Sequence, residues 1–95
     1  MTIDRPKIYA DYNKTDGHRL VLTCLGTKRD LESQGLVLER GLELTFYMDS
    51  DVDADGNIVN LLVDGTVDFD EEKLFWVATI DESTYRNEST NVPWK

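Results

Sequence analysis

Cysteine is nearly absent: Cys24 is the only one in 95 residues, which excludes an internal disulfide framework. Histidine is equally scarce, with His18 alone, and nothing in the chain has the ligand spacing of a zinc site. There is no glycine-rich phosphate loop and no Ser–His–Asp constellation. His18 and Cys24, the one pair with base and nucleophile character, are six residues apart. On a single extended strand that is about 20 Å, against the roughly 3 Å reach a nucleophile and its base require. No site chemistry points to catalysis, so the chain is expected not to be an enzyme. No apolar run follows Met1-Thr2-Ile3-Asp4-Arg5-Pro6, so neither a signal peptide nor a transmembrane helix is expected, and the predicted setting is cytoplasmic and reducing.

The absence with the largest consequence is of positive charge at the centre. Residues 41–72 hold ten acids and no base, whereas residues 1–40 hold six acids and seven bases and residues 73–95 hold three of each. The whole net charge of −9 therefore arises in one segment. Such a field repels nucleic acid and anionic membrane and attracts cations or basic proteins. It also serves a plainer purpose, keeping a small protein in solution.

Within that segment the densest feature is Asp49-Ser50-Asp51-Val52-Asp53-Ala54-Asp55-Gly56-Asn57. Asp51-x-Asp53-x-Asp55-Gly56 is the first half of a calcium-loop pattern, in which oxygens converge from a tight turn that glycine permits. Asp51, Asp53, Asp55 and the Asn57 carbonyl are the candidate metal ligands. The bidentate glutamate of the twelfth position is missing, since Leu62 stands there, and both flanks read as strands where an EF-hand needs helices. A solvated hairpin connection rich in turn formers explains the same residues. No cofactor is expected, with calcium as the alternative.

Along the chain, Lys7–Asn13 alternates as a first strand. Asp16-Gly17 signals a turn, and Arg19–Leu25 reads as a second strand forming a hairpin with the first. Thr27 with Asp30 resembles a capping box opening a short helix over residues 28–34 that stops at Gly35, with Leu31 as its anchor. Leu42–Met48 is a strand with Leu42, Leu44, Phe46 and Met48 inward. Ile58–Asp70 reads as one long strand, with Gly65 where it can bend. Leu74–Ile80 is the last strand, apolar on both faces, so one face needs cover from within the chain or from a second copy. Residues 81–86 suggest a helical turn and residues 87–95 a flexible tail. The expected architecture is mainly β: one domain over residues 1–86, a five-stranded, partly closed barrel with one short helix.

Residues 41–81 resemble an SH3-like barrel in strand order and spacing. The pieces Lys7-Ile8-Tyr9-Ala10-Asp11-Tyr12-Asn13, Cys24-Leu25-Gly26-Thr27 and Gly41-Leu42-Glu43-Leu44-Thr45-Phe46-Tyr47 look like a group of short acidic bacterial proteins of unassigned function. That resemblance implies a bacterial cytoplasmic origin and transfers no site.

On the outer face of the long strand Asp64, Asp68 and Asp70 alternate with Thr66, and Glu71 and Glu72 follow in the turn. These five acids are the candidate partner-binding residues. The expected role is a non-enzymatic interaction or regulatory module presenting an acidic hairpin to a basic protein, with no direct binding of nucleic acid or membrane. A homodimer through the last strand and a calcium-responsive domain using the Asp51–Asn57 loop are the alternatives.

Overall fold

The alternating stretches at the centre of the chain pair into an antiparallel meander. In this computed structural model, which describes residues 5–52 and 54–90 with backbone alone at 49–52, 89 and 90, the elements are β1 (Lys7–Tyr9), β2 (Thr15–Asp16), β3 (Arg19–Val21), α1 (Leu25–Ser33), β4 (Glu43–Val52), β5 (Ile58–Asp70) and β6 (Phe75–Thr90). They form one six-stranded sheet in the order β1-β4-β5-β6-β3-β2, with β1 parallel to β4 and the other pairs antiparallel. Among the described residues the protein is thus mainly β with one helix. The end strands β1 and β2 do not pair among the described residues, so the sheet is open, mixed and six-stranded where a five-stranded, partly closed barrel was expected.

The difference begins at Asp11. The expected first strand stops at Tyr9 because Asp11 turns the chain, accepting from Asn13 N–H at 2.9 Å on its side chain and from Lys14 N–H at 3.0 Å on its carbonyl. This side-chain turn competes with a continuing strand. The Asp16-Gly17 hairpin therefore joins β2 to β3, and β1 is free to cross to the far edge beside β4.

α1 covers that edge. Thr27, Asp30 and Gln34 fall at helical spacing on one face and bind the side of β1 turned away from β4. Thr27 Oγ1 donates to Tyr9 O at 2.6 Å, Asp30 Oδ2 accepts from Tyr9 N–H at 2.9 Å, and Gln34 Nε2 donates to Lys7 O at 2.9 Å. Strand edges left open template aggregation, and a covering helix is one remedy. The expected capping box is consequently not made: Cys24 is the N-cap, with no side-chain cap, and the helix starts three residues earlier than predicted. Its end matches the prediction. Gly35 at φ 66° closes a pair of hydrogen bonds, with Leu36 N–H donating to Leu31 O at 2.8 Å and Gly35 N–H to Glu32 O at 3.1 Å.

The core lies on one face of the sheet, where Ile8, Leu20, Leu44, Phe46, Val63, Val67 and Ala78 are buried together with Leu31 of α1. Leu42 and Met48, also predicted inward, are half-buried. The opposite face buries Leu62 and Val77, neighbours of core residues that alternation turns the other way. Val77 is the centre of the last-strand set that needed cover, and it is fully buried within the chain.

β6 runs through residues 81–90, where a helical turn and a tail were expected. Asp81 pairs with Asp64 and Arg86 with Leu62, so Glu82–Tyr85 bulge opposite Val63. Thr84 Oγ1 donates to Asp81 O at 2.6 Å and accepts from Asp64 N–H at 2.8 Å, which fixes the bulge. Ile58 pairs with Thr90 at the end of the strand; residues 91–95 of the predicted tail lie outside the described residues.

Candidate functional site

The five acids expected to meet a partner divide into two groups. Asp64 and Asp70 are held within the chain. Asp64 accepts from Thr45 Oγ1 at 2.7 Å and Arg86 Nη2 at 3.2 Å, with Arg5 Nε 4.0 Å away. Burial pushes its carboxyl up, but Thr45, Arg86 and Arg5 outweigh this and hold it below the usual aspartate range. Asp70 accepts from the backbone N–H groups of Lys73 at 2.9 Å and Glu72 at 3.0 Å and from Arg19 Nη2 at 2.9 Å. The Lys73 amide, then Arg19, hold its carboxyl down. Arg19 also binds Asp16 at 2.8 Å, and Lys73 Nζ donates to Asp16 at 2.6 Å. One network thus ties the β2–β3 hairpin to the β5–β6 turn, and Lys73 foremost lowers the Asp16 carboxyl.

Stability at acid pH follows from these three carboxylates. A group held below its unfolded value near 3.9 stabilises the fold above that value and loses this as pH falls through its folded value. The melting temperature is therefore expected to be level above about pH 5 and to drop below about pH 4. Asp70→Asn should flatten this acid limb in a thermal melt series. An unchanged limb would place the acid sensitivity elsewhere.

Asp68, Glu71 and Glu72 form the second group, exposed at the β5–β6 end. Arg40 reaches two of them, with Nε 3.3 Å from Asp68 Oδ1 and Nη2 2.7 Å from Glu71 Oε1. Glu71 foremost raises the Arg40 guanidinium further above its already high value. The second oxygen of each carboxylate takes no partner among the described contacts, nor does the Glu72 side chain.

Beside them is an open groove of about 480 Å³ lined by Leu38, Glu39, Arg40, Phe69, Glu71 and Trp76. Phe69 and Trp76, cross-strand partners in β5 and β6, meet edge-to-face with centroids 5.0 Å apart. The opposite wall is the extended stretch after α1, fixed where Gly41 N–H donates to Val67 O and Val67 N–H to Leu42 O, both at 2.8 Å. Leu36 and Leu38 of that stretch pack half-buried on the core, while Val37 between them is 81% exposed. The turn that contributes Glu71 also holds Leu74, the one described non-glycine residue with positive φ, at 62°. Leu74 is 74% exposed.

Sequence pattern alone does not show the groove, because Leu38 meets Phe69 and Trp76 only where the stretch after α1 is bonded to Val67 of β5. One signal was available: the apolar excess of the last strand, which includes Trp76.

The acidic loop connects two strands, as expected. Asp51 sits in β4 in register with Val59, across a shift after Asp49. Asp55 is exposed and Asn57 half-buried, and each has an interaction partner. Asp53, the remaining proposed calcium ligand, lies outside the described residues. Among the described residues no three histidine, cysteine or acidic side chains are grouped to hold a metal. His18 is exposed in the hairpin turn with Nδ1 3.6 Å from Glu82. Cys24 lies not on a strand but at the start of α1, its Sγ 3.0 Å from Thr27 Oγ1. The Thr27 proton is given to Tyr9 O, so the thiol is the donor of that pair.

Comparisons with protein-family models, curated proteins and solved structures return no match. No helix among the described residues is long and apolar enough to cross a membrane.

Proposed function

We propose that this protein is a non-enzymatic interaction module of the bacterial cytoplasm whose acidic β5–β6 end receives a basic segment of a partner protein. One observation carries the reading: Asp68, Glu71 and Glu72 stand exposed together with free carboxylate oxygens, while Asp64 and Asp70 are spent on internal pairs. The partner-facing set thus contracts from five acids to three. The ten-acid segment supplies the surrounding field, and such a field raises the encounter rate with a cation more than it adds affinity. No observation favours calcium over this reading.

The test is a titration with a lysine-rich peptide at low and high salt. Binding should weaken steeply with salt, and the triple change Asp68→Asn, Glu71→Gln, Glu72→Gln should weaken it about tenfold or more. The same loss from Asp55→Asn, or no loss from the triple change, would overturn the choice of surface.

A further inference from the structure

We propose that the groove between Leu38 and the Phe69–Trp76 ring pair takes an apolar side chain of a partner peptide, with that peptide's flanking lysines or arginines on Asp68, Glu71 and Glu72. The inference rests on the reading just given and adds the anchor, the site and the form of the ligand.

Three observations converge on it. The walls of the groove are largely carbon, from one leucine and two aromatic rings, and aromatic-lined pockets are where interfaces concentrate their energy. The rim is acidic: Glu39 and Glu71 line it with one base, Arg40, which is itself paired with Glu71 and Asp68, while Lys73 of the adjoining turn is engaged by Asp16. That arrangement repels an anionic peptide and complements a cationic one. Third, Leu74 is held in a left-handed conformation unfavourable for a leucine, and it is largely exposed. Glycine or asparagine would fill that turn at less cost. An exposed apolar residue held this way, in the turn that gives Glu71 to the groove, extends the apolar surface offered to a partner.

The shape selects the kind of ligand. The volume of about 480 Å³ suits a small ligand, but the groove is open along its length. Small-molecule sites bury most of their ligand's surface. An extended chain needs only its anchor side chain enclosed, because its backbone and cations stay at the rim. Arg40 binds Asp68 and Glu71 through one oxygen each, so the second oxygen of each is available to an arriving cation.

The test uses the full chain carrying Trp94→Phe, which leaves Trp76 as the only indole. Three capped five-residue peptides serve as probes: alternating lysine and leucine, alternating lysine and serine, and alternating glutamate and leucine. The lysine–leucine peptide should bind and change Trp76 fluorescence. The lysine–serine peptide should bind about tenfold or more weakly, the loss expected for one unburied leucine, and the glutamate–leucine peptide should not bind. Leu38→Ala, a change at the rim of the core that Trp76 itself reports on, should weaken the lysine–leucine peptide several-fold and leave the lysine–serine peptide unchanged. Equal binding of the two lysine peptides, with Trp76 silent, would overturn the groove while keeping the acidic surface. Equal or absent binding of the lysine–leucine and glutamate–leucine peptides would overturn both.

Discussion

Phe46→Ala is expected to lower stability by about 3–5 kcal/mol, the range for deleting a buried aromatic side chain. Phe46 is fully buried at the centre of the sheet, between Ile8 of β1 and Val63 of β5. Globular proteins are stable by only about 5–15 kcal/mol in all, so the variant would be folded marginally, with a melting temperature lower by roughly 15 °C or more. The ring also explains a glycine. A Cβ at position 65 would lie 2.9 Å from Phe46 Cε2 and 3.1 Å from the carbonyl oxygen of Thr79. Gly65→Ala should therefore cost about 1–3 kcal/mol through overpacking. Part of this should be recovered when Phe46→Leu is made as well, since residues in contact are coupled by about 0.5–3 kcal/mol. The Thr79 carbonyl is backbone and cannot yield, which limits the recovery. Urea denaturation of the four proteins measures the coupling. Strict additivity would show that the ring does not rest on the glycine.

Asp30→Ala is expected to cost about 2–3 kcal/mol, because two donors to one carboxylate lose their acceptor. These are the Tyr9 N–H at 2.9 Å and the Tyr47 hydroxyl at 2.7 Å. Asp30→Asn, which keeps one acceptor oxygen and the side-chain shape, should cost less. The alanine variant should show a second effect. With the edge of β1 loosened from α1, a strand edge is exposed that can pair with another chain. Light scattering should then show concentration-dependent association in Asp30→Ala and not in the parent. A variant that is fully stable and monomeric would mean that Thr27 and Gln34 hold the helix on the edge without it.

How much of this was legible in the sequence depended on the range of the interaction. β5 was expected at Ile58–Asp70 and is found there, because strict alternation between turn residues is a local signal. The inward burial of Leu44 and Phe46 and the stop of α1 at Gly35 are local in the same way. The parallel pairing of β1 with β4 was not legible. β1 is held on both edges by segments far along the chain, β4 on one and Thr27, Asp30 and Gln34 on the other, and in isolation Thr27 and Asp30 look like a cap. The fate of Asp64 was hidden similarly. By alternation it is an outward acid, but Arg5 and Arg86 converge on it from opposite ends of the chain. The second group of acids was legible as charge, and its apolar neighbour was not, since Leu38, Phe69 and Trp76 belong to three separate segments.

The most direct measurement is a pair of nitrogen–proton correlation spectra of the labelled protein, before and after addition of the lysine–leucine peptide. Binding at the groove predicts shifts confined to residues 38–41 and 68–76, with the Trp76 indole N–H among the largest. Shifts centred on residues 54–57, or an unmoved indole with the peptide bound, would contradict it.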